Sequence, residues 1–221
     1  MGVPRVYRKG STANINYDYT DIAAGTGIET FYGGVMSGAH VLSNNTFYSD
    51  KVIEWSENQT GSTMTKVFDL DYDVPFNVPR TLKGKSVINV PMGFRSKAAN
   101  VYYEIYVNNI IKKWDGTTET TLGTGASLHL SGTNLADGDI KTAMTATEID
   151  VPKNLLKKGD TLRLTVEGYC MSNNGRMIIG NDPQNRATSI WSETDGGAPF
   201  DFTFGTDPTN LLFQVPFKID L

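Results

Sequence analysis

The chain has 221 residues, 39% of them hydrophobic and 20% charged, a balance that excludes general disorder. A folded chain of this length buries roughly 70–75% of its unfolded surface, enough for one large domain or two small ones. The formal net charge of -4 gives no global positive field to attract phosphate backbones or acidic lipid, so neither nucleic acid nor membrane is expected as a partner.

Twenty-two glycines, with abundant Thr and Asn, exceed what a helical protein uses and point to strands and turns. The single cysteine, Cys170, has no intramolecular disulfide partner, and no N-terminal apolar run resembles a secretory signal, so manufacture in a reducing cytoplasm is expected. No apolar stretch approaches the roughly 20 residues that span a bilayer.

In chain order, "PRVYRKG" places Arg5, Arg8 and Lys9 ahead of the first acid, Asp18. It reads either as a solvated chain end or as a basic arm. Residues 1–50, rich in Gly, Ser, Asn and Tyr, hold no sustained period and are expected to be an arm and loops. Residues 51–221 are expected to form the folded domain.

In "VFDLDYDV", Phe68, Leu70, Tyr72 and Val74 alternate with Asp69, Asp71 and Asp73, the period of two that sends one set inward and the other to water. "SVINVPMGF" and "NVYYEIYV" are strand-like by composition, the second with Val101, Tyr103, Ile105 and Val107 on one face. Residues 110–123 predict a hairpin, with Asp115-Gly116 suited to a type I′ turn. "TNLADGDIKTAMTA" reads as loop with a helical turn, and "IDVPKNLLKKGD" as a short strand and a turn or brief helix. Next comes a strand in which Leu162, Leu164 and Val166 alternate with Arg163, Thr165 and Glu167. In the closing "LLFQVPFKIDL", Pro216 lacks an N–H and predicts a sheet edge or a break.

Eight to ten short strands with turns of Gly, Asn, Asp and Pro predict an all-β, jelly-roll-like antiparallel β-sandwich with an extended N-terminal arm. The alternative is an immunoglobulin-like sandwich, although its paired cysteines are missing.

No catalytic signature accompanies this pattern. "DLDYDV" opens like a calcium loop but has Val74 and Arg80 where Gly and Glu are required, and a strand spreads its acids along one side. His40 and His129 lie at no zinc-like spacing. A Cys170–His129 hydrolase pair remains open in principle, against the simpler reading of Cys170 as a packing residue. Aromatics such as Tyr17, Tyr19, Trp55, Tyr102, Tyr106, Trp114 and Trp191 could stack on sugars, against the simpler reading of core or interface. No catalytic, cofactor or metal-binding residue is expected, and the chain is expected not to be an enzyme. "GNDPQNR", residues 180–186, reads as the end of a strand and a turn, with Arg186 tethering the loop or a neighbouring subunit.

"LLKKGDTLRLTVEGY", then "GRMIIGNDPQNR" and the closing "LLFQVPFKIDL", resembles structural proteins of tailed bacteriophages and prophages. "YYEIYVNNIIKKWDGTTETTLGT" has the same flavour, so the resemblance covers residues 100–221. It implies a capsid decoration or auxiliary virion protein: a sandwich that forms trimers, binds the major capsid protein or other virion proteins, and resides in the virion after synthesis in the host cytoplasm. On that reading Arg5, Tyr7, Arg8, Lys9 and Arg186 are the candidate capsid or subunit contacts. The alternative is a receptor- or carbohydrate-binding module of a tail or fibre, with Trp191 and the loop "SETDGGAPFDF" as the glycan contact.

Overall fold

A computed structural model describes residues 26–186, 191–195 and 198–218. These hold thirteen strands and no helix: β1 Thr26–Met36, β2 Ala39–Ser43, β3 Ile53–Trp55, β4 Gln59–Pro75, β5 Arg80–Ser96, β6 Val101–Trp114, β7 Glu119–Ala126, β8 Leu130–Leu135, β9 Ile140–Leu156, β10 Thr161–Gly180, β11 Trp191–Asp195, β12 Ala198–Phe202 and β13 Leu211–Lys218. Eleven belong to one sheet, ordered β7-β6-β10-β4-β2-β1-β13-β5-β9 with β3 on β10 and β8 on β6, while β11 and β12 pair with each other. All pairings are antiparallel except a single parallel bridge, Val41 to Asp73, between β2 and β4.

The sheet folds into two facing layers because its longest strands serve both. β10 pairs along residues 161–172 with β4 and β6, then along 175–180 with β3 and β5. Its alternation does what the sequence predicts: Leu162, Leu164 and Val166 are fully buried, as are Ile105, Val107 and Ile111 beside them on β6. They meet Leu82, Ile88 and Val90 of β5, Ile149 and Val151 of β9 and Phe213, Val215 and Phe217 of β13 in one core. A smaller cluster of Ile53, Ile178, Phe202 and Phe204 seats the end of the β11–β12 pair. β7 also packs against β9: a Cβ added to Gly123 would lie 2.5 Å from Ile149 Cγ2, so a residue without a side chain is needed there.

Several sequence expectations are corrected. Residues 26–43, expected within the arm, are strands β1 and β2 of the main sheet, tied to β13 at one side and to each other through Ser37-Gly38. Both turn residues have positive φ, 51° and 79°, so the type I′ hairpin lies here. At the 110–123 hairpin only Gly116 is left-handed, with φ 95°. Four residues separate the paired Trp114 and Glu119 there, and the Asp115 carboxylate accepts hydrogen bonds from the backbone N–H groups of Thr117 and Thr118 at 2.9 and 2.7 Å.

Residues 125–132 read as a short strand and β8 covers 130–135, but 133–146, expected as loop with a helical turn, closes β8 and opens β9, and β9 runs on to Leu156 through the turn or brief helix expected around Asn154. β9 draws its stability from fifteen partner positions on β5, a long-range term that overrides weak local preference. Pro216 lies inside the sheet, between β1 and β5, at a register shift spanning Gln214 to Phe217. A break accommodates it, as the missing N–H requires.

Candidate functional site

The loop after β10 is fixed by a buried carboxylate. Asp182 is fully buried and accepts backbone N–H groups from Arg186 at 2.6 Å and Gln184 at 3.3 Å, the Arg186 Nε and Nη2 at 3.0 and 2.9 Å, and the Thr209 hydroxyl at 3.4 Å. The Arg186 guanidinium also lies 4.7 Å from the ring centre of Tyr48, so it tethers its own loop and an adjoining segment.

Behind this loop, the Tyr72 hydroxyl donates to Asn181 Oδ1, and the fully buried Asn181 leaves its Nδ2 unpartnered. His40 Nε2 and Lys51 Nζ meet the two oxygens of Glu54 at 3.2 and 2.5 Å. Burial pushes the Glu54 carboxyl up, but hydrogen bonds from His40 and Lys51 outweigh it and hold the group below the usual range. Burial drives the Tyr72 phenol far above its ordinary value, with help from the Glu54 charge. The cluster therefore holds an ionised carboxylate and a neutral phenol, and it ties β2, β3 and β4 to the loop after β10.

The outer face of β4, β10, β6 and β7 is an ionic lattice. Asp73 receives Arg163 Nε and Nη2 at 2.8 Å each, and Arg163 Nη1 reaches Asp71 at 3.1 Å and Glu119 at 3.0 Å. Lys66 joins Asp69 at 2.8 Å and Glu167 at 3.1 Å. The acids of "DLDYDV" are thus spread along a strand opposite cations. Among the described residues no group of three or more His, Cys, Asp or Glu side chains could hold a metal ion.

On the same face Tyr169, Tyr106 and His129 form a row. Successive ring centres are 4.8 and 4.4 Å apart, and both interplanar angles are 3°. At the opposite end of the strands, a cavity of about 340 Å³ is floored by Phe31, Leu42 and Phe76, with Glu29 and Arg80 at its rim. Those two are ion-paired, and the Arg80 guanidinium lies 5.2 Å from the Phe217 ring centre.

Of the residues singled out in the sequence, Arg5, Tyr7, Arg8 and Lys9 lie outside the described residues, as do Tyr17 and Tyr19. Trp191 opens β11 and pairs with Phe202 of β12. Cys170 is fully buried and its thiol is pushed up to about 12 by burial. His129 is held by Glu104 and stacked on Tyr106, so the imidazole and the thiol each have other surroundings. The Tyr72–Asn181 bond and the His40–Glu54 contact escaped sequence reading, because the first joins segments 109 positions apart and the second starts from His40, in a stretch without periodicity.

Among the described residues no helix is long and apolar enough to cross a membrane. No protein-family model matches the chain, and no curated protein matches it in sequence. A CocE/NonD family hydrolase from Staphylococcus aureus superposes with a TM-score of 0.52 at 12% identity, over 97% of this chain and 41% of its own. A second crystal structure of that hydrolase gives 0.49 at 13% identity, over 96% and 40%. A structure of infectious bursal disease virus, Gx strain, gives 0.29 at 8% identity, over 99% and 42%, too loose to carry an argument. The chain thus spans about two-fifths of the hydrolase it matches, and the likeness is one of fold over that part alone.

Proposed function

We propose that the chain is a non-enzymatic virion structural protein: a jelly-roll-like sandwich that decorates and stabilises a capsid shell as a trimer, with residues 1–25 as its attachment arm. The observation that carries this reading is the length and continuity of the strands. β4, β5 and β9 have 17 residues each and β10 has 20, where strands of 3–10 residues are usual. Such strands knit both layers into one stiff body with its ionic groups paired on its own surface, as suits a load-bearing part. The segment order that resembles phage virion proteins supports the same role, and the basic arm supplies the contact to a shell.

The test is removal of residues 1–25, which precede the described strand β1. The truncated protein is expected to keep its fold by circular dichroism and to lose co-sedimentation with particles. Undiminished attachment would sink the arm. Electron microscopy of the native assembly tests the shell itself: density for this chain on a tail or on no particle overturns the decoration role.

A second reading, a receptor- or carbohydrate-binding module of a tail or fibre, is favoured by the β11–β12 pair. It stands apart from the main sheet and carries Trp191 on a root seated by Phe202. Binding on a glycan array, lost in Trp191→Ala, would support it, whereas a pure decoration protein is silent there.

A further inference from the structure

The row Tyr169–Tyr106–His129 is set by register. Tyr169 pairs with Tyr106 across β10 and β6, and Ile105 pairs with Leu130 across β6 and β8, which puts His129 opposite Tyr106. The stack runs across the sheet and ends at His129, since among the described residues β8 pairs only with β6.

Buried aromatic pairs favour edge-to-face or offset packing. Here three near-parallel rings stand at the surface, and the last has no ring on its outer face among the described residues. The His129 side chain is 48% exposed, and the preceding residue, Leu128, is 61% exposed.

The polar groups around this ring are asymmetric. Glu167 is fully engaged by Lys66, by Asn108 Nδ2 at 2.9 Å and by the Tyr169 hydroxyl at 3.1 Å. Glu104 has one oxygen on His129 Nδ1. Its second oxygen and His129 Nε2 have no protein partner among the described residues. A flat π-face beside an anchored carboxylate with a spare acceptor, and a spare ring nitrogen, is a small binding constellation.

The charges select the ligand. Glu104 and Glu167 repel phosphate and carboxylate, which disfavours nucleotides and acidic sugars, and among the described residues no three His, Cys, Asp or Glu side chains gather to hold a metal ion. A neutral pyranose satisfies every group: its C–H face covers the ring, and its hydroxyls donate to Glu104 and exchange a hydrogen bond with Nε2. We propose that the open end of this stack, His129 with Glu104, Tyr106 and Leu128, is a binding site for one ring of a neutral glycan. The site shares its ligand class with the second reading but uses other residues, and it does not depend on shell attachment.

The test is native affinity electrophoresis of the full chain in gels containing dextran, galactomannan or xyloglucan, with alginate as the anionic comparison. At least one neutral polysaccharide is expected to retard the protein. His129→Ala, at an exposed position, should weaken that retardation at least tenfold, Glu104→Gln should weaken it severalfold, and His129→Trp should restore or strengthen it by keeping a stacking face.

Retardation by alginate alone, or by none of the four, overturns the proposal. Retardation that survives His129→Ala but is lost in Trp191→Ala also overturns it, placing the sugar on the β11–β12 pair and leaving the second reading intact.

Discussion

Tyr72 and Asn181, 109 positions apart, share a hydrogen bond inside the core, and both are fully buried. Tyr72→Phe removes the partner of Asn181 Oδ1 while Nδ2 is already unpartnered, leaving an entire amide desolvated. The expected loss is about 1–3 kcal/mol in urea unfolding, and Tyr72→Phe combined with Asn181→Leu should cost less than Tyr72→Phe alone, because replacing both partners removes the orphan. A double variant less stable than the single would show that the amide does something else.

Arg163 grips Asp73 through two parallel bonds and also touches Asp71 and Glu119. A forked pair within a network outperforms an isolated surface pair, so Arg163→Met should cost about 1–2 kcal/mol. Arg163→Lys should recover little of it, since an ammonium cannot make the fork. Full recovery with lysine would reduce the contact to simple charge.

Acid should weaken the fold through identifiable groups. Hydrogen bonds from Lys112, then Arg163, outweigh burial and hold the Glu119 carboxyl low. At Glu54 burial works the other way but loses to His40 and Lys51. A folded value below the unfolded one, about 4.5, means stability that is complete above that pH and is lost as pH falls through the folded value. Unfolding free energy should therefore decline below about pH 4.5, and Glu54→Gln with Glu119→Gln should flatten the decline. An unchanged acid slope in the double variant would contradict the assignment.

Gly123→Ala places a methyl group against Ile149 and should destabilise by about 1–3 kcal/mol. Adding Ile149→Ala removes the colliding methyl, so the pair should be less unstable than the sum of the single variants by at least about 1 kcal/mol. Strict additivity, read from the same denaturation curves, would mean that the two strands simply move apart.

Much of this architecture is legible in the chain, and the exceptions share a cause. The alternations around Leu70 and Leu164 declare themselves because one face of each strand is apolar and the other charged. β1 and β2 do not, since "FYGGVMSGAHVLS" interrupts any alternation with glycines; Ser37-Gly38 was the available signal. β9 lacks local signal because its order comes from β5. Arg186 lies four residues from the acid that it grips, a contact local enough to be read from the chain. The meeting of Tyr72 with Asn181, or of His129 with Tyr106, requires a register across strands distant in sequence, which periodicity does not encode.

β10 touches four other strands along its 20 residues and passes from one layer into the other. Opening either layer breaks hydrogen bonds to the same segment, so the two layers are expected to unfold together. The amide protons of β10 should exchange with solvent only through whole-molecule opening. A single cut within residues 161–180 should do more damage than a cut in any turn, and a tight grip on this one strand is how a chain with a single cysteine would resist being pulled apart.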